Sequence, residues 1–304
     1  MPQCDVIIPT YNSEPVLPAT LTALWQQRLP PGWVLRLIIS DDGSAADVVP
    51  VVERSSPPSP GSYLVVKGPH AGSAQARNRG LQAATGDIIL FLGADIILRP
   101  GALLAHLEFH QQYPDPHQAA LGFVTWDPRI NPSPLMMWMT HGGQQNNYDA
   151  LLGRRSADPR HFFYGAHLSL KREMVHNNHF APQFTAYGWE DLELGRRLGA
   201  RGLQLHVLHQ ARALHHHRYS VRAICHRQVL TGQSLAIYQK LHPAVALLPS
   251  LSRRRFYKQK IAIYLGGPLL LWLLTSILGE KLTFPRLFQN LTALYFWHGL
   301  HTDK

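Results

Sequence analysis

Cysteine is nearly absent from this chain: Cys4 and Cys225 are the only two among 304 residues. Two thiols cannot build a framework of bridges, which excludes a small disulfide-stapled scaffold. Charge is also thin. Charged residues make up 16%, and acids are the scarcer sign, with 19 Asp plus Glu against 29 Lys plus Arg, a net +10 with His neutral. Such a positive balance points to an anionic partner: nucleic acid, a phosphate-bearing substrate or a lipid headgroup. No GxGxxG follows the first apolar run, which disfavours a dinucleotide-dependent dehydrogenase. No HExxH occurs and the two cysteines stand far apart in sequence, so a zinc site fits poorly. No basic stretch followed by an apolar run opens the chain, so no cleaved signal peptide is expected. There is no internal repeat. The apolar fraction, 45%, excludes a disordered chain. The length allows one large or two small domains with a substantial core.

One long uncharged run stands out near the C-terminus, IAIYLGGPLLLWLLTSILG, from Ile261 to Gly279. Its length falls in the range of roughly 17–25 residues that crosses a bilayer as a helix. Arg253, Arg254, Arg255, Lys258 and Lys260 precede it, a cluster expected on the cytoplasmic side beside anionic lipid. The expectation is attachment to the cytoplasmic face of the cell membrane, as a single span or as a peripheral, interfacial helix. Gly266, Gly267 and Pro268 interrupt the run and keep a buried helix of a soluble protein open as the alternative. A second apolar stretch, Leu287 to Leu300 with Tyr295, Phe296 and Trp297, reads as an aromatic-rich interfacial segment.

The first hundred residues alternate strand and helix signals. Asp5–Ile8, Val34–Ile39, Tyr63–Val66 and Asp87–Leu92 are short apolar runs. Leu17, Leu21, Leu24 and Trp25 recur at helical spacing, and Ser73–Ala84 reads as a helix. That alternation predicts an α/β fold with a mostly parallel sheet covered by helices on both faces. Ligands of such sheets bind beyond the carboxyl ends of the strands. Thr10-Tyr11-Asn12, Asp41-Asp42-Gly43-Ser44 and Asp95 fall there. From Pro100 to Arg218 the pattern is less regular, with a short helix at Glu190–Leu198 and a strand at Leu203–Leu208. From Tyr219 onward the tail is helical and basic, then apolar.

Four signatures occur in one order: VIIPTYN at Val6–Asn12, SDDGS at Ser40–Ser44, GSAQARNRG at Gly72–Gly80 and GWEDLELGRRL at Gly188–Leu198. Each alone is weak, but the ordered set resembles the family 2 glycosyltransferases with the GT-A fold, over roughly residues 4–218. The resemblance implies a Rossmann-like sheet flanked by helices. Together with the basic cluster and apolar run, it divides the chain into a donor-binding half at 1–98, an acceptor and catalytic half at 99–218, and a membrane-associated tail at 219–304. It implies an inverting sugar transferase that takes a nucleotide-diphospho-sugar, a uridine one first, and acts in cell-surface polysaccharide or glycolipid synthesis. Sugars, lipid-linked sugars and proteins all stand as acceptors, and the membrane surface as a partner.

The residues carry their own chemistry. A carboxylate at Asp42 can accept from a nucleobase edge, as the second Asp of this motif does for uracil in similar enzymes, or it can serve a turn with Gly43. Tyr11 offers a ring for stacking, and Pro9 completes the donor-binding set. Arg77 suits a diphosphate. Sugar transfer needs a base for the acceptor hydroxyl; in similar enzymes the Asp of the Glu-Asp pair supplies it, which makes Asp191 the base and Glu190 its neighbour in positioning. The family usually carries Asp-x-Asp around a Mg2+ or Mn2+ ion, but Gly93 stands at the first position and only Asp95 remains. His215 and His217, on one face of an extended segment, are candidates to replace the missing acid as metal ligands. Tyr164–Ser169 resembles the segment beneath the donor sugar, with His167 where Asn is common. Trp138, His141 and Trp189 are candidates for sugar stacking or core packing. A nucleotidyltransferase and a catalytically inactive nucleotide-sugar-binding relative remain the alternatives. A nucleic-acid partner is not expected, because the basic residues gather ahead of an apolar run rather than forming an aromatic-interleaved surface.

Overall fold

The computed structural model describes residues 1–55, 61–140, 147–245 and 285–302. The basic cluster at 253–260, the apolar run at 261–279 and His141 lie outside the described residues. Among the described residues, no helix is long and apolar enough to cross a membrane.

The core of the fold is one nine-stranded sheet. Its first half follows the alternating signals closely. Strand β1 is Gln3–Thr10, helix α1 Leu17–Trp25, strand β2 Val34–Asp41, helix α2 Val49–Glu53, strand β3 Gly61–Lys67, helix α3 Ser73–Ala83 and strand β4 Ile88–Leu92. These four strands lie in the order β3-β2-β1-β4, all parallel. β4 is buried at every position, IILFL, as expected for a parallel strand covered on both faces. Inside β1, the buried Asp5 carboxylate binds Arg36 at 2.6 Å and accepts the Thr85 and Gly86 amides at 2.8 Å. That network ties two strands to the turn after α3.

The second half is mixed. β5 is Ile96–Leu98, α4 Ala102–Gln112, β6 Gln118–Trp126, α5 Pro134–Thr140, β7 Ser156–Ala157, α6 Pro159–Phe162, β8 His167–Lys171, α7 Arg172–His176, α8 Glu190–Ala200 and β9 Gln204–His215. The sheet continues from β4 as β8-β6-β9-β5, with β7 paired to β9. β8 runs antiparallel to both β4 and β6, while β6 and β9 are parallel. The parallel character is therefore concentrated in the N-terminal half, and antiparallel strands extend it.

Beneath this half lies a buried polar cluster. His106 and His110 on α4 place Nδ1 and Nε2 at 2.7 and 2.9 Å from Ser169 Oγ on β8, and His106 Nε2 meets His167 Nε2 at 3.0 Å. Burial drives His106 down to about 3 and holds His110 and His167 well below the usual imidazole range.

Beyond the sheet, α9 spans Val221–Leu241 and α10 Pro285–Leu300. Ser220 caps α9 by accepting the Ala223 amide. α10 packs on α9: Phe288 and Leu291 join Val221, Ile224 and Cys225 in a small core shared with Leu135 and Met139 of α5. The aromatic stretch thus forms a helix against the protein, with Tyr295, Phe296 and Trp297 half-buried. Trp138 packs beside Phe288 in the same cluster.

Candidate active site

The carboxyl ends of the strands open onto a chamber of ≈ 530 Å³. Its first wall is the start of α8. Gly188 and Trp189 both adopt left-handed φ, 99° and 69°. For a tryptophan that conformation costs about 1–3 kcal/mol, a strain typical of functional sites. The turn throws Glu190 and Asp191 to the helix N-terminus, where the macrodipole favours carboxylates.

Asp191 Oδ2 accepts the Gly165 amide at 2.9 Å. Oδ1 is buried without a hydrogen bond and lies 3.2 Å from Arg77 Nη1. A side chain at residue 165 would place its Cβ 2.7 Å from that oxygen, so only glycine allows the backbone so close. Desolvation raises the Asp191 pKa, Arg77 opposes and Glu190 adds to the rise, leaving it at about 6. Glu190 accepts from Ser73 Oγ at 2.7 Å and from Arg77 at 3.2 Å. Arg77, on α3, is buried between these acids and lies 5.4 Å from the Phe180 ring centroid. The guanidinium expected to face a diphosphate is thus engaged with the Glu-Asp pair, at the wall of the same chamber.

The opposite wall carries Gly93, Asp95, His215, Tyr219 and Arg227. His215 Nε2 lies 3.1 Å and His217 Nδ1 3.7 Å from Asp95 Oδ2. His215 also stacks on Trp126, with centroids 4.7 Å apart. Burial tends to raise the Asp95 pKa, but His215, His217 and Arg227 outweigh it and hold it down to about 2. His216 turns away, to Asp127 Oδ2 at 2.7 Å. A Cβ at Gly93 would come within 2.9 Å of Ile96 Cγ1 and 3.0 Å of Asp95 Oδ1, so the missing acid has no room without a local shift. Among the described residues, no group of three or more His, Cys, Asp or Glu forms a metal cage. What is present is one ionised carboxylate with two imidazoles facing the same oxygen.

Arg227 carries no motif signal in the sequence, yet it is the cation of this wall. It projects from α9 and donates to the hydroxyls of Tyr187 and Tyr219. Its guanidinium lies 3.7 Å from the centroid of the Tyr187 ring and 5.0 Å from that of Tyr219. Two aromatic faces and two hydroxyls fix it there. Gln228 and Thr231 of α9 line the chamber too, so the expected tail at 219–304 contributes to the site. Trp189 lines the chamber and also packs on Tyr238.

Tyr11 and Asp42 form a second cluster nearby, outside the lining of the chamber. Asp42 is buried and accepts the Ala71 and Gly72 amides at 3.2 and 2.8 Å, while Arg79 and His70 bind the same carboxylate. Its acceptor capacity is taken up within the protein. Tyr11, half exposed, stacks on His70 with centroids 4.0 Å apart. Pro9 sits half-buried in β1, paired with Ser40. The Gly72 amide on Asp42 links this cluster to Ser73 and the chamber. His167 is buried in the histidine cluster below and does not reach the chamber lining.

A family model described as Glycosyl transferase family 2 matches residues 5–180, more than half of the chain. The chain is 27% identical over 229 residues to validoxylamine A glucosyltransferase of Streptomyces hygroscopicus subsp. limoneus, taking in 68% of this chain and 50% of that protein. It thus spans about half the length of that relative. Among solved structures, a mannosyltransferase from Pyrobaculum calidifontis in complex with GDP-Man and Mn2+ superposes with TM-score 0.63 at 18% identity, over 100% of this chain and 88% of that one. TarS of S. aureus in complex with UDP gives 0.54 at 14% identity, over 96% and 90%. At these identities the likeness is one of fold.

Proposed function

The chain belongs to glycosyl transferase family 2, and from that premise we propose that it moves a glycosyl group from a nucleoside-diphosphate sugar to an acceptor hydroxyl. The observation that carries this reading is Asp191: a half-buried carboxylate that lines the chamber, anchored by the Gly165 amide at Oδ2 and paired with Arg77 at Oδ1. The acceptor O–H gives its proton to the Asp191 carboxylate as its oxygen bonds to the anomeric carbon. The bond from that carbon to the diphosphate oxygen breaks in the same displacement, which inverts the anomeric centre. A base with a pKa of about 6 is ionised at neutral pH yet basic enough to take the proton. Gly165 N–H and Arg77 fix its orientation, and Glu190 holds Arg77 in place.

Arg227 stands where negative charge develops on the departing nucleoside diphosphate, and its aromatic clamp keeps it aimed without reorganisation. A divalent cation held by Asp95, His215 and His217 would neutralise the same diphosphate. Tyr11 stacked on His70 offers the nucleobase an exposed ring face, with Asp42 holding the loop beneath it. UDP-sugars are the first donors to try; the solved structures of this fold carry both GDP-Man and UDP. The basic residues 253–260 ahead of the apolar run support a location on the cytoplasmic face of the cell membrane, in polysaccharide or glycolipid synthesis.

The test is nucleoside-diphosphate release across a panel of UDP- and GDP-sugars, with and without Mn2+. Asp191→Asn should lower turnover by about 10²–10⁴-fold while donor binding persists. Equal turnover in that variant would refute the assignment. His215→Ala with His217→Ala should raise the Mn2+ concentration needed for half-maximal rate; an unchanged metal response removes these histidines from the metal site.

A further inference from the structure

A second cavity, ≈ 350 Å³, opens beside the first. Its surface is mainly apolar: Phe123, Trp126, Pro128, Pro132 and Met137 line it, with Asp149 among its polar residues. Two of its polar side chains are paired within the protein. Trp126 Nε1 donates to Met136 O and to Thr140 Oγ1, and Thr140 Oγ1 donates in turn to Met137 O. A free sugar, with a hydroxyl on nearly every carbon, would lose hydrogen bonds here, whereas a hydrocarbon group would lose none.

The cavity shares a wall with the chamber. Val124 and His215 line both. Tyr148 lines the apolar cavity and meets Tyr164, a chamber residue, edge to face at 5.4 Å. The Tyr148 hydroxyl is buried and has no hydrogen-bond partner among the described residues. A buried orphan hydroxyl is costly unless a ligand completes it.

We propose that this cavity is the aglycone subsite, and that the acceptor is an amphiphile: a hydroxyl-bearing head in the chamber joined to a hydrocarbon group. The apolar group fills the space between Phe123 and Met137, and the linking oxygen accepts from Tyr148. The inference rests on the transferase reading for what enters the chamber, and it adds the chemical class of the acceptor.

Octyl glucoside below its micellar concentration and methyl glucoside are the probes, titrated onto the whole chain in the presence of UDP. Octyl glucoside should bind at least tenfold more tightly than methyl glucoside, since each buried methylene adds to transfer. Met137 is 39% exposed, so Met137→Glu should leave the fold unchanged, which an unaltered melting temperature checks. The variant should weaken octyl glucoside at least fivefold and methyl glucoside not at all. Equal affinities for the two glucosides, or an octyl affinity indifferent to Met137→Glu, would overturn the proposal. Donor hydrolysis is measured separately: its absence with every nucleotide sugar counts against the transferase reading, whatever the glucosides do.

Discussion

Asp191 owes its basicity to a conflict between burial and one neighbouring cation. Removing it from water raises its pKa, and Arg77 holds the rise in check. The rate should therefore carry an acid limb. We expect kcat/KM to fall about tenfold per pH unit below a midpoint near 6, where the free enzyme's base becomes protonated. Lysine at Arg77 keeps a charge but loses the planar fork, so that variant should move the midpoint upward. A pH-rate profile of both proteins checks this, and a midpoint near the ordinary 3.8 of an aspartate in the parent would contradict it. Single residues were legible in sequence where chemistry demands a type at a fixed offset. Glu190 and Asp191 stand out because two acids open a helix after a glycine. Arg227 does not, because an arginine inside a basic helix looks like solvated surface. Its function comes from Tyr187 and Tyr219, forty and eight residues away in sequence, which only the fold brings to its flanks. Asp42 shows the opposite case. Its motif is plain, but four partners within the protein already bind its carboxylate.

At the scale of elements, the helix that presents Glu190 and Asp191 is placed by a close contact with α6. α8 lies against α6 at Gly195, where a Cβ would come within 2.3 Å of Pro159 O and 2.4 Å of Phe163 Cβ. Backbone cannot yield as a side-chain tip would. Gly195→Ala should destabilise the protein by about 1–3 kcal/mol through overpacking and lower kcat as α8 is pushed off its seat. Thermal melts and initial rates measure both effects; an unchanged melting temperature would show that the two helices are free to part. The elements of the first half could be read from sequence because each strand is a short apolar run closed by polar residues. β6 resisted that reading. Its sequence QAALGFVTW is buried along most of its length, so it lacks alternation, and its small residues resemble a loop. β9 is longer than its apolar run, Leu203–Leu208, because the pairing with β6 shifts register between Gly122 and Phe123. The strand resumes past His209 and Gln210, where an apolar pattern has already broken.

For the molecule as a whole, the buried histidine cluster sets an acid limit to stability. Burial lowers the folded-state pKa of His106, to about 3, and those of His110 and His167. An unfolded chain takes these protons near pH 6.5, and the folded one refuses them. Stability is therefore intact above about pH 6.5 and falls as the pH drops toward 3. The urea midpoint should decline clearly between about pH 7 and pH 5, before Asp95, whose pKa lies near 2, begins to contribute a loss of its own. Asp191, whose folded pKa is raised to about 6, works in the opposite sense over that interval, so the reading is made in Asp191→Asn, where a flat midpoint would mean that the cluster accepts protons while folded. Asp127→Asn, in contrast, should leave this interval unchanged.

The family match ends at residue 180, while the clamped arginine enters the chamber from α9, beyond that limit. α9 is at once a wall of the chamber and the seat of α10. Descendants of this chain cannot shed or exchange α9 without losing Arg227, so α9 and the Asp191 helix are bound to be inherited together.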